Sequence, residues 1–208
     1  MDTATFWNHI ATYNQTMWVP QAVMIAVAGY LVYRVFSKPG AKTDALMKAF
    51  LAFAFAWDGI VLFLVFLRNP VSMFTGVPLF IVVSVLFLVD ISREKTHFKL
   101  PEGRLMKGLT IAWILLAALY PLFGWFLGHR WPSVLLPLFP CPLTVFAIAL
   151  VAAAAPDADR KVFVALLPWA LMGLPKCFGA LDCYEDCILF ASGVYGLIVL
   201  IRNWRSTR

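Results

Sequence analysis

The sequence predicts an all-α, polytopic membrane helix bundle of seven transmembrane helices, with the N-terminus outside and the C-terminus in the cytoplasm. Three observations carry this expectation. Hydrophobic residues make up 62% of the 208-residue chain and charged residues 13%, which is more apolar surface than one soluble core can hide. Seven long apolar stretches follow one another, all but the two shortest near the roughly 20 residues a helix needs to cross a bilayer. Lys and Arg fall almost entirely in alternate gaps between them. With the N-terminus outside, the inner side collects Arg34, Lys38, Lys42, Lys48, Arg93, Lys95, Lys99, Arg104, Lys107, Arg160, Lys161, Arg202, Arg205 and Arg208, and the outer side keeps Arg68, Arg130 and Lys176. Fourteen against three is a strong positive-inside bias.

The elements follow in order as one integral membrane domain over 1–208. Residues 1–15 form an outer segment in which Phe6, Ile10, Tyr13 and Met17 recur at helical spacing, as in a short surface helix or a lead-in to the first span. They lack a basic region and a small-residue cleavage site, so the first span is expected to stay in the protein. The spans lie near 16–37, 45–67, 70–91, 107–128, 139–155, 160–175 and 184–201. Pro78, Pro121 and Pro168 interrupt the third, fourth and sixth of these. The connection from Ser92 to Lys107 is polar, carries Pro101 and Gly103, and reads as a solvated cytoplasmic turn that serves as scaffolding.

Polar groups enter this frame at three places. Asp58 lies near the middle of the second stretch, about 10 residues from Arg68 and so roughly 15 Å from the outer end. A central acid costs about 2.5–3.5 kcal/mol to insert, which points either to a helix-to-helix hydrogen bond or to a proton or ion role. Next come Gly128-His129-Arg130-Trp131-Pro132, Pro137 and Pro140-Cys141-Pro142-Leu143-Thr144. Three prolines between 137 and 142 exclude a regular helix there, so 129–142 is expected to be an irregular outer segment returning into the fifth span, a cavity wall carrying His129 and Cys141.

The third place is Lys176 to Cys187. Asp182 followed by Glu185 resembles a capping box, and acids in a first helical turn complement the helix dipole. Cys183, Asp186 and Cys187 share one helix face, a candidate thiol-rich metal site, though not with zinc-finger spacing. Cys141, Cys177, Cys183 and Cys187 all fall on the outer half, where disulfides form in an oxidising compartment. Cys177 paired to Cys183 or to Cys187 is easier to bridge than Cys183 to Cys187, one turn apart on a single helix.

Tyr13-Asn14 with Trp18 and Gln21, Gly128-His129, Pro140-Cys141-Pro142 with Thr144, and Glu185-Asp186 together resemble a bacterial family of multi-spanning membrane proteins known only as a domain of unknown function. The resemblance implies an integral membrane protein without an established activity, in which Asn14, His129, Cys141 and Asp186 belong together; the expected location is the bacterial inner membrane. Cys177, Cys183 and Cys187 lie outside the pattern.

Several classes are excluded. Residues 184–201 hold no Lys for a retinal Schiff base, no phosphate-binding Gly-Lys loop offers a nucleotide site, and the histidines on the outer side, His9 and His129, are too few for a seven-span metal hydrolase or paired haems. The net charge of +6 sits at span ends, as expected for contact with lipid headgroups and not for nucleic acid. The leading expectation is a bundle that binds or transports a small solute or ion through an outward-facing polar cavity, with Asp58, His129, Cys141 and Asp186 as its polar groups and Asn14 beside them. A non-catalytic accessory protein for another membrane complex is the alternative, followed by a thiol-redox or metal-dependent membrane enzyme; no complete catalytic constellation is visible.

Overall fold

The computed structural model describes residues 1–206; Arg208, counted above among the inner basic residues, lies outside them. Every regular element among the described residues is helical, and each of the seven apolar stretches coincides with a helix or a broken pair of helices.

Helix α1, Thr3–Ser37, begins at Asp2, whose side chain accepts from the Thr5 amide at 2.8 Å. Its backbone leaves helical geometry at Met17, where Pro20 follows and can neither donate to Thr16 nor fit its ring against that carbonyl. One buried face, through Phe6, Ile10, Tyr13, Asn14, Gln21 and Met24, continues across the break. Residues 3–15 therefore lead directly into the first apolar stretch. Helix α2, Ala41–Trp57, passes into a π-helix over Asp58–Leu67, and a second short π-helix, Ser72–Gly76, opens α3, Val77–Arg93. Pro78 falls where this π-helical turn passes into α3, so the wider turn accommodates the missing amide without breaking the run Ser72–Arg93.

Helices α4, Arg104–Ala118, and α5, Tyr120–Phe126, meet at a 59° bend beside Pro121. Then follow α6, Pro140–Ala154, α7, Arg160–Leu171, the single turn α8, Leu174–Cys177, a 3₁₀ turn at Ala180–Asp182, and α9, Asp186–Arg202. Among the described residues, three helical runs are long and apolar enough to cross a membrane: Thr3–Ser37, Ala41–Leu67 and Ser72–Arg93. The bent pair α4–α5 makes a fourth if taken as one span, and α6 is apolar but 15 residues long.

Helix α6 is buried on every side and packs against α2, α4, α7 and α9, which explains why it lacks a polar face. Close approach by α9 depends on its glycines. A Cβ at Gly193 would lie 2.8 Å from the Ala170 Cβ of α7, and one at Gly196 would lie 3.0 Å from Ile148 of α6.

The lysine-rich end of the bundle is more ordered than a solvated turn requires. Lys48 and Asp90, both buried, pair at 3.2 Å, and the Lys48 ammonium also donates to the Asp90 carbonyl at 3.0 Å. The Asp90 carboxylate accepts from the amide of Lys95 at 2.9 Å, and Asp44 accepts from the amide of Phe98 at 2.9 Å. The Asp159 amide, at the start of α7, donates to the Thr96 hydroxyl at 3.0 Å. The Ser92–Lys107 connection, expected to be solvated, instead buries Thr96 and Phe98 and locks α2, α3 and α7 together. Asp44 and Asp90, spaced along separate helices, gave no local sign of this role.

Candidate functional site

The opposite end of the bundle holds the irregular segment between α5 and α6. Asn14 donates through Nδ2 to the carbonyls of Pro132 at 2.7 Å and Val134 at 2.8 Å, and its Oδ1 accepts from Gln21 at 3.3 Å. Unpaired carbonyls in buried irregular backbone are costly, and Asn14 supplies their donors. It is therefore a brace for this segment. Beside it, Tyr13 accepts from the Trp57 indole at 2.8 Å.

The Pro-Cys-Pro tripeptide starts α6 inside the protein. The first turn of any helix leaves amides without intrahelical partners, and prolines at 140 and 142 remove two of them. The Leu143 amide donates to Phe139, and the Thr144 hydroxyl donates to the Pro140 carbonyl at 2.7 Å. This start delivers the Cys141 side chain to Asp186.

Asp186, at the first position of α9, is fully buried and accepts from three elements. Tyr120 of α5 donates to Oδ1 at 2.5 Å, Cys141 donates to Oδ2 at 3.2 Å, and the Lys176 ammonium lies 3.1 Å from Oδ2. Lys176 also lies 3.7 Å from the Cys141 sulfur and 5.8 Å from the centroid of the Trp169 ring. Burial alone would lower the Lys176 pKa, but the facing Asp186 carboxylate outweighs it and holds the ammonium above the ordinary lysine range.

One residue before Asp186, Glu185 shares a 3.1 Å hydrogen bond with His129 Nδ1. The Trp7 ring stacks 3.8 Å from the His129 ring and its indole donates to the Leu181 carbonyl at 2.9 Å. Burial lowers the His129 pKa, with Asp182 pulling the other way.

A cavity of about 190 Å³ opens beside these groups, lined mainly by apolar side chains: Phe6 and Ile10 of α1, Leu62 of the π-helix, Phe139 just ahead of α6 and Trp169 of α7. Cys141 and Lys176 form its charged corner, and Asn69 and Ser72 stand elsewhere on its wall. The Trp169 indole N–H is buried with no hydrogen-bond partner among the described residues.

Of the residues singled out from sequence, Cys141 and Asp186 touch, His129 is joined to them through Glu185, and Asn14 braces the segment behind them. Asp58 lies outside the cavity lining; it is 1% exposed, and no hydrogen bond reaches either carboxylate oxygen among the described residues. Cys177 and Cys187 form a disulfide, while Cys141 and Cys183 are free and buried. The bond consumes Cys187, so the candidate metal set of Cys183, Asp186 and Cys187 is not available. Among the described residues no group of three or more His, Cys, Asp or Glu is placed to hold a metal. Sequence reasoning missed Tyr120 and the role of Lys176. Tyr120 carries no local signal, whereas Lys176, a lone cation ahead of three acids, was a legible one.

A family model of unknown function, DUF6064, matches residues 3–208. The chain belongs to this family. Membership in DUF6064 covers nearly the whole chain, and so includes every residue of the constellation around Asp186, but brings no activity with it. No curated protein and no solved structure matches the chain.

Proposed function

We propose that this DUF6064 member is an integral membrane protein of the bacterial inner membrane that crosses the bilayer seven times, N-terminus outside. In this reading it binds a small, mainly apolar molecule with one polar end in the outer-end cavity. The charge asymmetry supports the orientation, and the Cys177–Cys187 disulfide at the end poor in basic residues agrees with an oxidising outer compartment. The observation that carries the binding reading is the cavity itself: mainly apolar walls, with Asn69 and Ser72 among them, and a corner where the lining residues Cys141 and Lys176 meet Asp186 behind them. Apolar pockets with a few convergent polar groups are the usual form of small-molecule sites. A volume of about 190 Å³ is slightly larger than the roughly 150 Å³ engineered cavity that accepts benzene. The unpartnered Trp169 indole favours a ligand that carries an acceptor oxygen.

The test uses 4-fluorobenzyl alcohol as probe, with the full chain in lipid nanodiscs and fluorine line broadening as readout. Saturable broadening by wild type, lost when Leu62→Trp fills the cavity, supports the site. Equal broadening by both proteins would remove it. Asp58 favours a second reading, coupling to a proton or ion, because a buried acid in a π-helix with no hydrogen bond among the described residues costs stability.

A further inference from the structure

Of the four cysteine sulfurs, Cys177 and Cys187 are spent on a disulfide, and Cys183 is buried and donates to the Leu181 carbonyl at 3.5 Å. Cys141 is the free thiol that lines the cavity. A base and a cation stand beside it. Asp186 Oδ2, at 3.2 Å, is placed to take the thiol proton, and Tyr120 holds the other oxygen of that carboxylate. The Lys176 ammonium at 3.7 Å and the N-terminal end of the 15-residue helix α6 both favour negative charge on the sulfur. The Cys177–Cys187 disulfide agrees with a setting in which such a thiol meets oxidised sulfur.

We propose that Cys141 is an exchange thiol that takes up one half of a small, apolar disulfide entering the cavity. The inference rests on the pocket reading above and adds a covalent step to it. The Cys141 S–H proton passes to Asp186 as the sulfur attacks one sulfur of R–S–S–R. A new S–S bond forms to Cys141, the old one breaks, and its electron pair leaves on the second sulfur as RS⁻. That thiolate takes the proton back from Asp186 and departs as RSH. The Cys141 sulfur is oxidised, the departing sulfur is reduced, and no further oxidant enters. Apolar walls select uncharged R groups, because a charge brought into them would lose its hydration without a partner.

The experiment incubates the full chain in nanodiscs with diethyl disulfide or with the dicationic disulfide cystamine, and follows adducts by intact mass and peptide mapping. A single ethylthio adduct on Cys141, formed at least about tenfold faster than any cystamine adduct, is expected from the cost of burying charge. Cys141→Ser should abolish it, and Asp186→Asn should slow it by about 100-fold if the carboxylate acts as base. The site of the adduct and the ratio of the two rates are read on wild type, so they decide the matter even if Asp186→Asn fails to fold. An adduct on Cys183, no adduct, equal rates for the two disulfides, or a folded Asp186→Asn that reacts at the wild-type rate would each overturn the proposal. Saturable 4-fluorobenzyl alcohol broadening without an adduct would overturn the exchange step alone; loss of both would overturn the pocket as well.

Discussion

Lys48 Nζ sits 3.2 Å from Asp90 Oδ2 with both side chains withdrawn from solvent, and this pair at the lysine-rich end of the bundle answers the Lys176–Asp186 pair at the other. Each joins two helices through one buried carboxylate that also accepts further hydrogen bonds. Only the second borders the cavity lined by Cys141.

Breaking the Lys48–Asp90 pair on one side should therefore be worse than removing it entirely. Lys48→Met leaves the Asp90 carboxylate buried without its cation and should cost about 3–5 kcal/mol, whereas Lys48→Met with Asp90→Leu should recover part of the loss. Unfolding midpoints in detergent compare the three proteins. A single mutant as stable as wild type would show that the pair contributes nothing.

The orientation is tested by reporter fusions. Fusions after Trp204 and within Ser92–Lys107 should read cytoplasmic, and one beside Arg130 should read extracytoplasmic. A C-terminus found outside would reverse the ends and place the disulfide and the cavity on the cytoplasmic side.

Asp58 makes no hydrogen bond with the described residues, so replacing it with an apolar side chain removes a desolvation cost and breaks no hydrogen bond. Asp58→Leu should raise stability by about 1–3 kcal/mol in thermal unfolding. An acid kept at such a cost is expected where protons or ions are handled, so pH-dependent ligand binding should weaken in the same variant. A fall in melting temperature would mean that the carboxylate supports the fold.

His129 carries a pH signature. Its pKa in the folded chain lies below the ordinary histidine value of 6.5, first because it is buried. As pH falls through that ordinary value, the unfolded chain takes up a proton that the folded chain does not, so this residue's contribution to stability declines on acidification. Melting temperature should drop less between about pH 7.5 and about pH 5.5 in His129→Gln than in wild type. Equal drops would show that His129 titrates as a free histidine.

What the sequence by itself determined is local or additive along the chain. Apolar runs mark where helices form, and every such run is helical. Some prolines mark where helices start or bend, as Pro121 and Pro140 do, because a missing amide and a fixed ring act on the nearest turn; Pro78 and Pro168, expected to interrupt their stretches, instead lie within the runs Ser72–Arg93 and α7. Basic residues in alternate gaps predict orientation because each interacts with its own side of the membrane independently. The site was legible only as single residues of costly placement: Asp58, His129, Cys141 and Asp186. Which of them meet was decided by tertiary structure. Tyr120 and Asp186 are 66 residues apart, Cys141 and Asp186 are 45, and Lys48 and Asp90 are 42. Those contacts depend on the rotation and depth of helices packed around α6, set by side-chain volume and by close approaches such as that at Gly193. A helix turned by one residue would present a different side chain, and no pattern within a single stretch records that rotation relative to its neighbours.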